Sequence, residues 1–141
     1  MNSRKSGAEE PEARVVTTLS GHNGCGFQNG RREEARFRFP SSLDKNSLGE
    51  IYICDQGNHL IRKLHLDGTV DTLAGTGLCG FENGELDKAE FNWPLDIAVD
   101  GNDNIVVTDY GNKVLRKCLH SRETDDYFTH RDTAVFRASQ W

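Results

Sequence analysis

The chain reads Ile51-Tyr52-Ile53-Cys54-Asp55-Gln56-Gly57-Asn58-His59-Leu60-Ile61-Arg62-Lys63-Leu64, and 54 residues later Ile105-Val106-Val107-Thr108-Asp109-Tyr110-Gly111-Asn112-Lys113-Val114-Leu115-Arg116-Lys117-Cys118. Each copy is an apolar run, an Asp-x-Gly-Asn turn and a second apolar run. A short run apolar on both sides reads as a strand buried on both faces. Working outward, Val16-x-Thr18-Leu19-x-Gly21, Cys25-Gly26-Phe27-x-Asn29-Gly30, Ala35-x-Phe37 and Pro40 return as Val70-x-Thr72-Leu73-x-Gly75, Cys79-Gly80-Phe81-x-Asn83-Gly84, Ala89-x-Phe91 and Pro94. The offset stays at 54 with no gap (Val16 to Val70, Lys63 to Lys117). A period of roughly 50 residues belongs to propeller blades or solenoid units. Such a unit cannot bury its apolar face alone.

The second copy predicts strands over 69–74, 95–99, 104–108 and 113–118, with a long Gly- and Asn-rich loop over 75–93 that ends at Pro94. Alternation and β-branched residues mark the strands, and Asp-Gly-Asn clusters mark the turns. No segment carries a 3.6-residue apolar period over ten residues, so a helical solenoid is set aside. The fold class is all-β, with four short antiparallel strands and one long loop per unit.

Residues 51–64 and 66–75, and in the second copy 94–100 and 104–109, resemble the NHL repeat. Asn58-His59-Leu60 spells the name-giving letters, where the second copy has Asn112-Lys113-Val114. The resemblance covers 15–120 and implies two four-stranded antiparallel blades of an NHL-type β-propeller. Closed propellers hold about four to eight blades, so two leave the ring incomplete and not closed. The expected organisation is a disordered polar leader at 1–14, repeats at 15–68 and 69–120, and a divergent tail at 121–141, where 133–137 supplies a short edge strand. A fragment of a larger protein is the favoured explanation of the repeat number, ahead of self-assembly to complete a propeller and of an open pair of sheets. Residues 15–19 are expected as an outermost-type strand. Ser41-Ser42-Leu43-Asp44-Lys45 replaces the apolar innermost strand of the second copy, so it should pack poorly or sit at an edge.

The formal net charge of −5 is uneven. Residues 15–68 carry seven basic and six acidic side chains, whereas 69–120 carry four and nine. This balance argues against a nucleic-acid binder. No apolar stretch reaches the ~18 residues of a membrane span and no secretory signal is visible, so a cytoplasmic location is the default. The four cysteines form no C-x-x-C pair and are expected as small buried thiols. Nucleophile-elbow and His-Glu-x-x-His motifs are absent and the five histidines are scattered. The chain is therefore read as no enzyme, with no cofactor and no metal site.

In a four-stranded meander both long loops and the 55–59 and 109–113 turns emerge on one face. Candidate partner-binding residues there are Arg31, Arg32, Arg36 and Arg38 on the first loop, Glu82 and Glu85 on the second, and Asn58, His59, Asn112 and Lys113 on the turns. Asp55 and Asp109 are read as turn formers, Phe27, Phe37, Phe81 and Phe91 as plugs that pin the loops. The expected function is a protein-interaction module or scaffold, a partial propeller presenting loops to a protein or peptide. RNA binding, which the resemblance also implies for some members, is the alternative that the acidic charge opposes. A metal-dependent lyase or hydrolase ranks third.

Overall fold

A computed structural model describes residues 14–119 and 136–137. Strands β1 (Gly30–Arg31), β2 (Pro40–Lys45), β3 (Ile51–Asp55), β4 (Leu60–Leu64) and β5 (Thr69–Ala74) form one antiparallel sheet in the order β1-β5-β4-β3-β2. Strands β6 (Pro94–Val99), β7 (Ile105–Asp109), β8 (Val114–Cys118) and β9 (Phe136–Arg137) form a second, in the order β6-β7-β8-β9. Neither sheet closes, as expected of an incomplete propeller. The short 3-10 turns Gln56–Asn58 and Tyr110–Asn112 fall on the two Asp-x-Gly-Asn motifs.

The sheets are out of phase with the sequence period. β5 opens the second copy yet pairs with β4 and so completes the first blade. The first sheet also gains a fifth, two-residue strand, because Gly30 and Arg31 of the long loop pair with Val70 and Thr69. That caps an otherwise open edge. The strand expected over 15–19 does not form: 14–19 lies exposed outside any sheet. Its counterpart β5 is held by the ladder to β4, and among the described residues no such partner stands ahead of residue 15. The edge strand expected at 133–137 forms at β9, paired with β8 at Val114 and Leu115.

Tyr52, Cys54, Ile61 and Ala74 of the first sheet meet Ile97, Ile105, Val107 and Cys118 of the second. Ala89 and Phe91 of the second long loop wedge into the same core. Ala35 of the first long loop joins Ile53, Leu64 and Val70 on the opposite face of the first sheet. Each blade thus buries one face under the loop that precedes it. Gly75, where the chain leaves the first blade, is buried with φ +107°, and a Cβ there would stand 2.9 Å from the His59 carbonyl oxygen. Only glycine fits both demands.

β2 does end its sheet, but its polar residues do not pack poorly. It lies beside β6, and its side chains bond that strand. Ser41 Oγ donates to the Leu95 carbonyl at 2.6 Å, and Ser42 Oγ to Asp96 Oδ1 at 2.5 Å. The Val99 amide donates to Asp44 Oδ2 at 2.8 Å. Residues that spoil the apolar pattern of a strand here join the two blades. The thiols divide: Cys54 and Cys118 are buried, and burial pushes them up to about 12 and about 11 respectively, while Cys25 and Cys79 are exposed.

Candidate functional site

The face that carries the long loops is organised by two buried ion pairs, one per blade. In β4, Leu60, Arg62 and Leu64 share a side by strand alternation and are all buried, so the guanidinium enters the sheet face instead of solvent. Arg62 Nη1 donates to Asp55 Oδ2 at 2.7 Å, and both side chains are fully buried. Burial lowers the Arg62 pKa, and Asp55 opposes this in part by hydrogen bond and charge. Asp55 also accepts from the Arg38 amide at 2.7 Å and from Asn58 Nδ2 at 2.8 Å. Arg62 Nη1 and Nη2 also reach the first long loop, at the Arg36 carbonyl (3.0 Å), the Gln28 carbonyl (2.8 Å) and Asn29 Oδ1 (2.7 Å), while Nε donates to the Asp71 carbonyl of β5 at 3.4 Å. Phe27 and Phe37 lie 4.9 and 5.1 Å from the guanidinium carbon. The planar cation thus satisfies loop carbonyls with its edge and contacts two aromatic faces.

The second blade repeats this. Arg116 donates to Asp109 Oδ2 at 2.9 Å and to the Glu90 and Glu82 carbonyls at 2.9 and 2.6 Å, with Phe81 and Phe91 at 5.2 and 5.0 Å. Asn112 Nδ2 bonds Asp109 and the Gly80 carbonyl, as Asn58 Nδ2 bonds Asp55 and the Gly26 carbonyl. Asp55 and Asp109 are therefore more than turn formers: each is the buried anion on which a long loop is hung. The phenylalanines read as plugs hold their loops through the arginines.

Between the two loop systems lies a cleft of about 420 Å³. Phe27 and Arg38 of the first loop, Asn58, His59 and Leu60 of the turn, and Gly75 to Leu78 of the second loop line it. Arg38, Asn58 and His59 are the sequence-predicted residues that come together there. Asn58 is committed to anchoring. Arg38 is exposed, and among the described residues its guanidinium makes no hydrogen bond or ion pair. The Trp93 amide donates to His59 Nδ1 at 3.1 Å, which fixes the neutral tautomer and leaves the proton on Nε2. The Trp93 ring meets the imidazole edge-on at 5.7 Å.

The other candidates lie elsewhere. Arg31, Arg32 and Arg36 are exposed on the first loop, where the Arg32 and Arg36 carbonyls accept loop hydrogen bonds. Glu82 and Glu85 are exposed on the second loop and likewise contribute carbonyls. Among the described residues no ion pair links the two long loops. Lys113 borders a separate cleft of about 470 Å³ on the outer face of the second sheet, with Tyr110 and Leu115. Sequence reasoning missed Phe27 and Leu78 as cleft walls, although both are large apolar residues within glycine-rich loops. Among the described residues no three His, Cys, Asp or Glu side chains converge in a metal-binding group, and no helix is long and apolar enough to cross a membrane.

Burial lowers the His59 pKa from its ordinary 6.5, and Arg38 adds to the effect against an opposing pull from Asp109. Above 6.5 the ring is neutral folded or unfolded. As pH falls below 6.5 the unfolded chain takes up the proton first, and a protonated Nδ1 cannot accept from Trp93. Stability is therefore expected to fall over that window until the folded pKa is passed. Denaturation of wild type and His59→Gln at about pH 7.5 and about pH 5.5 checks this: wild type should lose the more stability on acidification. An equal loss in both would assign the dependence to other groups.

Two blades of four-stranded meander type, packed face to face with long loops at one end, define an open β-propeller arrangement. The family model of the NHL repeat matches residues 91–117. The chain is 34% identical over 92 residues to Protein SUPPRESSOR OF QUENCHING 1, chloroplastic, of Arabidopsis thaliana, a match covering 64% of this chain and 9% of that protein. It is 40% identical over 70 residues to NHL repeat-containing protein 2 of Gallus gallus, covering 48% of this chain and 9% of that one. Among solved structures it resembles an auxiliary nutrient binding protein from Bacteroides thetaiotaomicron, with 31% identity and a TM-score of 0.58 over 66% of this chain and 27% of that one. The chain thus matches only a small part of each of these relatives.

Proposed function

We propose that the chain is a non-catalytic interaction module that presents its long-loop face to a protein or peptide. The observation that carries this reading is the cleft between the loops. Its walls are anchored by buried ion pairs, so it needs little ordering on binding. It exposes apolar surface at Phe27 (54%) and Leu78 (65%), which a folding core alone does not require. Its volume lies in the range of about 300–1,000 Å³ that suits small ligands and side-chain anchors. RNA finds less support, because the second loop is acidic and, among the described residues, Arg38 is the one arginine that lines the cleft.

Selection of displayed peptides against the chain tests the reading. Enriched peptides should bind wild type and Leu115→Ser, which lies on the outer face of the second sheet, and lose binding to Leu78→Ser. If no peptide is enriched, or binding ignores Leu78, the loop face is not the interaction surface.

A further inference from the structure

We propose that the cleft recognises an acidic side chain followed by an apolar one in an extended peptide. This rests on the loop-face reading and gives the occupant its chemistry. The polar donors there include the Arg38 guanidinium, which carries the charge, and the Nε2–H of His59, whose tautomer the Trp93 amide sets, beside the Thr76 hydroxyl. Among the described residues no Asp or Glu lines the cleft. The nearest buried carboxylates, Asp55 and Asp109, are already paired with Arg62 and Arg116. An arriving carboxylate therefore meets uncompensated positive charge, and a guanidinium can hold it through two parallel hydrogen bonds. Beside these donors Phe27, Leu60 and Leu78 form an apolar wall for the neighbouring side chain.

The second blade lacks this combination. The position of Arg38 is taken by Asn92, whose Oδ1 accepts from Cys79 Sγ at 3.2 Å, and that of His59 by Lys113. The recognition site therefore belongs to the seam between the blades and is not a property of the repeat.

Fluorescence polarisation with two labelled hexapeptides, one centred on Glu-Leu and the other on its isostere Gln-Leu, tests the proposal. The acidic peptide should bind wild type about tenfold more tightly, as a charge-assisted bidentate bond implies. Arg38→Gln should erase that ratio, and added salt should narrow it. The Arg38 side chain is exposed, and only its backbone amide holds Asp55, so this variant keeps the loop anchored. If both peptides bind equally and both lose binding to Leu78→Ser, the loop-face reading stands and acidic recognition falls. If neither binds, while displayed peptides selected on the loop face still do, the Glu-Leu preference is again overturned. If the ratio survives Arg38→Gln, the assignment of the carboxylate to this cleft is wrong.

Discussion

Arg62→Ala is expected to lower the free energy of unfolding by about 3–5 kcal/mol, the cost of removing one partner from a buried ion pair. Asp55 would keep the Arg38 amide and Asn58 but lose the cation it pairs with. The Gln28 and Arg36 carbonyls and Asn29 would each lose one donor, and Phe27 and Phe37 the cation they flank. Arg62→Lys is expected to recover little, because one ammonium cannot reach Asp55 and both loop carbonyls in a plane. Lys63→Ala, on the same strand, removes a part-exposed pair with Glu50 and should cost much less. Chemical denaturation followed by circular dichroism compares the three. Equal losses for Arg62→Ala and Lys63→Ala would mean that the buried pair does not hold the loop.

Phe91→Ala is expected to cost about 3–5 kcal/mol, the range for removing a buried phenylalanine. Phe91 is 1% exposed, lies in the core between the blades and flanks Arg116. Its counterpart Phe37 flanks Arg62 in the same way but is only partly buried, with no further blade over it among the described residues. Phe37→Ala should therefore cost clearly less. The comparison separates two roles that the sequence makes identical: both residues stack on an arginine, and only one joins the blades. A Phe37→Ala loss as large as that of Phe91→Ala would sink this division.

Much of the fold was legible because it rests on local rules. Paired apolar runs, Asp-x-Gly-Asn turns and the constant spacing mark β3, β4, β7 and β8. The same meander logic put the long loops and the 55–59 and 109–113 turns on one face, and the hydrogen bonds from Gly57 to Arg38 and from Gly111 to Asn92 join them there. Two features misled. Val16-x-Thr18-Leu19 has the pattern of β5, yet a strand needs a ladder partner, and a pattern cannot supply one. Ser41, Ser42 and Asp44 look like damage in an apolar strand, because a strand's neighbour across the blade seam is invisible in its own sequence.

The candidate site was legible only in its parts. Arg38, Asn58 and His59 stood among ten candidates of equal rank, and nothing in their spacing separated them from Arg31 or Glu85. Of the residues that position them, Asp55 read as a turn former and Arg62, with Lys63, as a charge pair that puts one charge on each side of a strand. Strand alternation does put Arg62 on the side of Leu60 and Leu64, which is the one local sign that it is buried.

The sequence by itself determined the repeat, most of the strands and the places of the turns, since these depend on side chains acting on nearby backbone. Tertiary structure alone decided which charges are buried, which loop carbonyls they satisfy and which loop residues face each other across the blade seam. The ion pairs join residues seven positions apart, but their burial and the rest depend on contacts between residues about 20 to 55 positions apart, which packing brings together and local preference cannot encode.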